Sequence, residues 1–159
     1  MSILVSIDPG LRCLGAAKWR NGKLVKCDAL YCNEGDGPIQ WRAMVNTVKE
    51  WHGRGKINTL IIEQMQTRKK YPGSHDNLLG LATLSGGIWA TLKWEEGISV
   101  LPREWTGFNE KAINARRVRK RLSEEELALM DYELAGVMAC NKKEIYDAVG
   151  IGLYALERL

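Results

Sequence analysis

SILVSIDPGLRCLGAAKWRNGKLVKCDALYC, residues 2–32, is the stretch whose reading decides the fold. Its first run, SILVSID (2–8), is apolar and rich in β-branched residues, and it stops at Asp8-Pro9-Gly10, a turn through which no strand continues. LGAAKWR (14–20) and KLVKCDALYC (23–32) flank Asn21-Gly22, the dipeptide favoured in a type I′ hairpin. Three antiparallel strands are therefore predicted at the start. IQWRAMVNTVKEW (39–51) sets Ile39, Met44, Val45, Val48 and Trp51 at helical spacing behind Pro38, a residue suited to a first helical turn. NTLIIEQ (58–64) is a strand apolar on both faces, hence central in its sheet. HDNLLGLATLSGGIWATLKWEEG (75–97) reads as one long helix, and ISVL (98–101) as a strand closed by Pro102. Three helices follow, over 110–122, 124–139 and 142–159, with Ser123 and Asn141 at cap positions. This order predicts an α/β domain over 1–159: a mixed sheet of three antiparallel strands and two further strands, flanked by helices.

The bulk composition fits that picture. With 159 residues, 45% hydrophobic and 26% charged, the chain can build a core, and disorder, collagen and coiled coil are excluded. No apolar run approaches the ~20 residues of a membrane span, and no apolar leader follows Met1, so a soluble cytoplasmic protein is expected. Cys13, Cys27, Cys32 and Cys140 form no CxxC pair, which argues against a zinc site or a disulfide framework. The net charge, 23 − 19 = +4, is modest, but it is gathered into basic clusters at 68–70, 116–121 and 142–143.

Carboxylates stand where a fold has no need of them. Asp8 closes an apolar strand, and taken alone it reads as a turn residue bonding its own backbone. Glu63 follows Leu60-Ile61-Ile62, so it is either desolvated unless paired, protonated or metal-bound, or sits at a strand end open to water. Glu144 and Asp147 are three apart on a helix and share one face, where they repel unless a cation lies between them. Acids of a first helical turn are also ordinary dipole partners, but the apolar residues after Asp147 set it where the helix enters the core. No Arg or Lys is matched to these four acids in the sequence pattern. Such a set suits Mg²⁺, and two ions ~3.5–4 Å apart catalyse in-line phosphodiester displacement. An acidic centre framed by basic clusters is the electrostatic signature of a nuclease, since carboxylates alone repel nucleic acid.

SIDPGLRCLGAAKW, LIIEQMQ and EIYDAVGIGLYAL, in this order and at these separations, resemble the three signature segments of the RuvC-type Holliday-junction resolvases, members of the RNase H-like superfamily. The resemblance implies a single RNase H-like nuclease domain, a homodimer, and paired metal-dependent cuts across a branched four-way DNA. It further implies Asp8, Glu63, Glu144 and Asp147 as catalytic metal ligands for two Mg²⁺ ions, with Mn²⁺ able to replace them. Lys111 is similar to a lysine that the family sets near the scissile phosphate. Arg68, Lys69, Lys70 and Tyr71, in the loop after Glu63, and Arg116, Arg117, Arg119 and Lys120 are the expected DNA contacts. Two departures stand out. Glu144 occupies a position where the family more often has Asp or His, and Gln66 stands where it commonly has an aromatic residue. Compact, divergent versions of this kind suggest a bacteriophage origin and hence a bacterial host cytoplasm.

Other features have plainer readings. Trp41, Trp51 and Trp89 are at core-like helical spacing, and His52 and His75 are expected at the surface. Gly80, Gly86 and Gly87 lower helix propensity and point to close helix packing, either within the domain or across a dimer, and the need for two symmetric cuts favours the dimer. Two other functions fit the residues. One is an RNase H-like nuclease acting on RNA or simple duplexes, and the other a non-catalytic junction-binding module whose acids are structural.

Overall fold

The computed structural model describes residues 1–64, 75–107 and 109–159. The sheet comprises β1 (Ile3–Asp8), β2 (Cys13–Arg20), β3 (Lys23–Tyr31), β4 (Ile57–Glu63) and β5 (Trp94–Val100), in the order β3-β2-β1-β4-β5. The first three strands run antiparallel, while β4 and β5 lie parallel to β1. Asn21 and Gly22 both have positive φ, 51° and 77°, as a type I′ turn demands.

Alternation along β1 sorts the layers. Ile3, Val5 and Ile7 face α1 (Pro38–His52) and α2 (His75–Thr91), where Met44, Val48, Leu84 and Ile88 complete one core. Leu4 faces the opposite core, built with Trp19, Ile61, Trp105 and residues of α4 (Lys111–Arg121), α5 (Glu124–Ala135) and α6 (Lys142–Ala155). A mixed sheet sandwiched by helices is thus the architecture that the strand order predicted. Asp8 and Glu63, at the ends of β1 and β4, lie in phase with Leu4 and Ile61 and so on the α6 side. The four cysteines are free, and no helix among the described residues is long and apolar enough to cross a membrane.

The boundaries differ from the sequence reading at several points. The helix read over 75–97 ends at Thr91, and β5 begins at Trp94 rather than at residue 98. No Gly or Pro interrupts the pattern between 92 and 96, so periodicity alone prolongs the helix. Pairing with β4 overrides it: Ile57 aligns with Trp94, and Lys56 and Asn58 both bind Glu95, the lysine at 2.7 Å. A short helix, α3 (Pro102–Thr106), follows where none was anticipated. Its signal was present, since Pro102 opens it and Glu104 reaches back to the Leu101 amide. The helices read to 139 and 159 stop at Ala135 and Ala155, the first at Gly136.

Two environments also differ. His52 is buried, not exposed, because the last carbonyls of α1 fold under the sheet edge. There Lys18 Nζ donates to the His52 carbonyl at 3.0 Å and Lys26 Nζ to that of Trp51 at 2.9 Å. Burial, followed by the charge of Lys18, holds the imidazole below its usual pKa. Gly80 and Gly87 pack within the domain: a Cβ on either would come within 2.9 Å of Trp41 or Val45 of α1, whereas Gly86 faces open space.

Glu126 ties the helical layer to the hairpin. Its carboxylate accepts from the Leu24 amide at 2.8 Å, the Ser123 amide at 2.8 Å and Arg158 Nη2 at 2.7 Å, and Ser123 returns the capping-box bond. Burial alone would raise its pKa, but Arg158 and the two amides outweigh it and hold it at about 2. Glu126→Ala strands Arg158 and two amides, and is expected to cost on the order of 3 kcal/mol, a fall in Tm of roughly 6–12 °C by thermal unfolding.

Candidate metal centre

The centre is built by the seating of α6 on the sheet. In the β1–β2 ladder Asp8 lies opposite Gly15, and a Cβ on Gly15 would fall 1.9 Å from the Glu144 carbonyl oxygen. Only a residue without a side chain lets the start of α6 come this close. One turn further, the buried Ser6 hydroxyl donates to the Ala148 carbonyl at 2.7 Å and accepts from Trp19 Nε1 at 3.3 Å. At Gly152 a Cβ would overlap the Trp19 indole, 2.1 Å from its Nε1. Three contacts along one helix therefore lay Glu144 and Asp147 against the end of β1.

There the carboxylates meet. One oxygen each from Asp8, Glu144 and Asp147 lie within 4.8 Å of one another. Oxygens that share a single Mg²⁺ or Ca²⁺ ion at 2.0–2.6 Å are separated by roughly 4–5 Å at most. The donors are all hard oxygens, so the residues fit such an ion. Glu63 joins from the neighbouring strand: Ile7 aligns with Ile62, which sets Glu63 beside Asp8, and its charge acts on the Asp8 carboxyl. Glu63 Oε2 accepts from Trp105 Nε1 at 2.6 Å, which orients the carboxylate.

Packing four acids together has an electrostatic consequence. Burial drives the Asp8 carboxyl well above the ordinary carboxylate range, and the charges of Glu63, Asp147 and Glu144 push it further. The expectation that no basic residue is matched to these acids is corrected at one point: Lys143 Nζ lies 2.8 Å from Glu144 Oε1.

The other expected site residues fall into three groups. Arg68, Lys69, Lys70, Tyr71 and Gln66 lie outside the described residues, as does the side chain of Lys111, the first residue of α4. Arg116 and Lys120 are exposed and, four apart, share one face of α4. Arg117 and Arg119 are engaged inside the chain. Arg117 Nη1 donates to the Thr106 carbonyl and to Asn114 Oδ1, both at 3.4 Å. Arg119 grips Asp131 with two bonds, at 2.5 and 3.0 Å, and reaches Tyr146 at 3.4 Å. Sequence reasoning missed Trp105 and Lys143. The first has no local signal, because its partner is 42 positions away; the second was legible as the neighbour of Glu144.

No protein-family profile and no curated protein matches the chain. Solved structures do. The Holliday junction resolvase of fowlpox virus superposes with a TM-score of 0.58 at 16% identity, covering 99% of both chains. Thermus thermophilus RuvC, in complex with Holliday junction substrate, gives 0.59 at 12% identity, over 99% of this chain and 96% of that one. The yeast mitochondrial Holliday junction resolvase gives 0.61 at 14% identity, over 95% of this chain and 76% of its own. The shared fold extends over nearly the whole chain, in agreement with the mixed sheet read from the order of elements and with the RNase H-like fold that the resemblance implies.

The Asp8 shift carries a sign that can be measured. A carboxyl whose folded pKa is raised binds its proton more tightly in the fold, so it lowers stability progressively as pH climbs from the ordinary 3.8 through the raised value. In chelator, Asp8→Asn is expected to melt above the wild type at pH 8, by ~2–4 °C per kcal/mol relieved, with the gap closing toward pH 4. A wild type that melts higher at pH 8 contradicts the repulsion.

Proposed function

We propose that this chain is a divalent-metal-dependent endonuclease that resolves four-way DNA junctions. The observation that carries the reading is the convergence of Asp8, Glu144 and Asp147 on one point, beside Glu63, within a fold that solved Holliday junction resolvases share. Asp8, Glu63, Glu144 and Asp147 hold the ions, with Mg²⁺ the expected metal and Mn²⁺ a substitute. The chemistry that divalent ions supply in such a site is a nucleophile from water and neutralisation of the leaving oxygen.

The chain's own residues do the rest. Trp105 fixes the Glu63 carboxylate, and the Ser6–Ala148 contact fixes the helix carrying Glu144 and Asp147. Arg116 and Lys120, on the open face of α4, contact the phosphate backbone. Arg119, already paired with Asp131, holds α4 against α5. Lys111 and Arg68, Lys69, Lys70 and Tyr71 supply further contacts to the branched substrate.

Two symmetric cuts need two centres, so the working unit is a homodimer. Its interface is the outer face of α1 and α2, a groove lined by Trp41, Val45, Thr83 and Gly87 with the exposed Leu79 on the same helix.

Incubation with a synthetic mobile four-way junction, with linear duplex and RNA–DNA hybrid as competitors, tests the reading. Paired nicks that require Mg²⁺ and favour the junction are expected, and Asp147→Asn should lower cleavage at least a hundredfold while junction binding persists. Preference for the hybrid identifies a different nuclease, and Mg²⁺-dependent products unchanged in Asp147→Asn make the acids structural. Light scattering should give twice the monomer mass, reduced to the monomer by Leu79→Glu.

A further inference from the structure

The Lys143–Glu144 pair lies at the edge of the acidic centre, and helix energetics give no reason for it. Lys143 stands in the first turn of α6, the end at which the helix dipole disfavours a cation. Its ammonium nonetheless lies 2.8 Å from Glu144 Oε1, and the charges of Glu144, Asp8 and Asp147 all act on it. The lysine side chain is 53% exposed and that of Glu144 12%. A cation on a largely solvated stem thus rests on a mostly buried carboxylate. The same carboxylate contributes the oxygen that brings Glu144 within 4.8 Å of its partners in the candidate metal centre.

A single ammonium and a divalent ion do not share that carboxylate without strong repulsion, because both sit within a few ångströms in a largely buried, poorly screened place. We propose that Lys143 is a tethered counter-ion that competes with the divalent cation for Glu144, and so sets the metal concentration at which the centre fills. The inference rests on the metal-centre reading given above. Lys143 acts here as a positioning residue: without metal it offsets the repulsion among the acids, and it swings into solvent when the metal arrives. Nothing in this role requires DNA.

Titration of Mn²⁺ into metal-free, DNA-free protein, followed by calorimetry, separates the possibilities. Lys143→Met removes the charge and keeps the stem, and Lys143→Gln serves as a second neutral variant. Both should bind Mn²⁺ roughly fivefold more tightly than the wild type, the effect of a partly exposed ion pair worth ~1 kcal/mol. Both should also melt below the wild type in chelator, and Lys143→Arg should behave as the wild type in both measurements. A purely structural lysine changes the melting temperature but not the Mn²⁺ affinity, and that result overturns the proposal. Weaker Mn²⁺ binding by the neutral variants overturns it too, since the ammonium then assists the metal. Absence of Mn²⁺ binding by the wild type is the distinct result that removes the metal centre itself.

Discussion

The flush seating of α6 on the sheet is the constraint on which the rest of the molecule depends. A helix packed on a sheet is ordinarily held off by the side chains on both surfaces. Here Gly15 on β2 and Gly152 on α6 remove the side chains that would collide, and Ser6 uses its hydroxyl to hold the Ala148 carbonyl at 2.7 Å. The same approach creates the core around Ile145, Val149 and Trp19 and delivers Glu144 and Asp147 to the end of β1. Stability and site geometry are therefore one feature: a side chain at position 15 that lifted the helix would open the core and separate the acids together.

That seating has an electrostatic cost, visible at Asp8. Burial and three neighbouring acids raise its pKa, so the folded protein holds a centre that a cation would relieve. Stored repulsion of this kind is common where a site is shaped for a ligand rather than for stability. The fold offsets it in part, with Lys143 on Glu144 and the Trp105 indole on Glu63. Elsewhere the chain uses its charges conventionally: Glu126 with Arg158, and Arg119 with Asp131, bind helices to one another and to the hairpin. The positive excess left over is on surfaces such as that of Arg116 and Lys120, where it can meet phosphates.

Much of this was legible in one dimension because its causes are local. An apolar, β-branched run stopped by Asp8-Pro9-Gly10 made β1, Asn21-Gly22 made the hairpin, and Pro38 opened α1, each through interactions within a few residues. The acids were legible as anomalies, since a carboxylate that ends an apolar strand or faces its neighbour one helical turn away needs a reason. The errors have a physical pattern. The helix read through residue 97 lost its last six residues, in part to pairing with β4, and His52 is buried because lysines from β2 and β3 cover the end of α1. Glycines read as a dimer contact serve in part an internal one, with Trp41 and Val45.

By itself the amino-acid sequence determined the succession of five strands along the chain and the layered class, and it marked four acids as anomalies, because period, turn chemistry and side-chain type are properties of neighbours along the chain. Only the tertiary structure decided that three of those acids meet within 4.8 Å, that Trp105 holds Glu63 and that Arg119 is already occupied. Each of these is a distance across elements, set by how closely the helices approach the sheet, and no periodicity encodes such a distance.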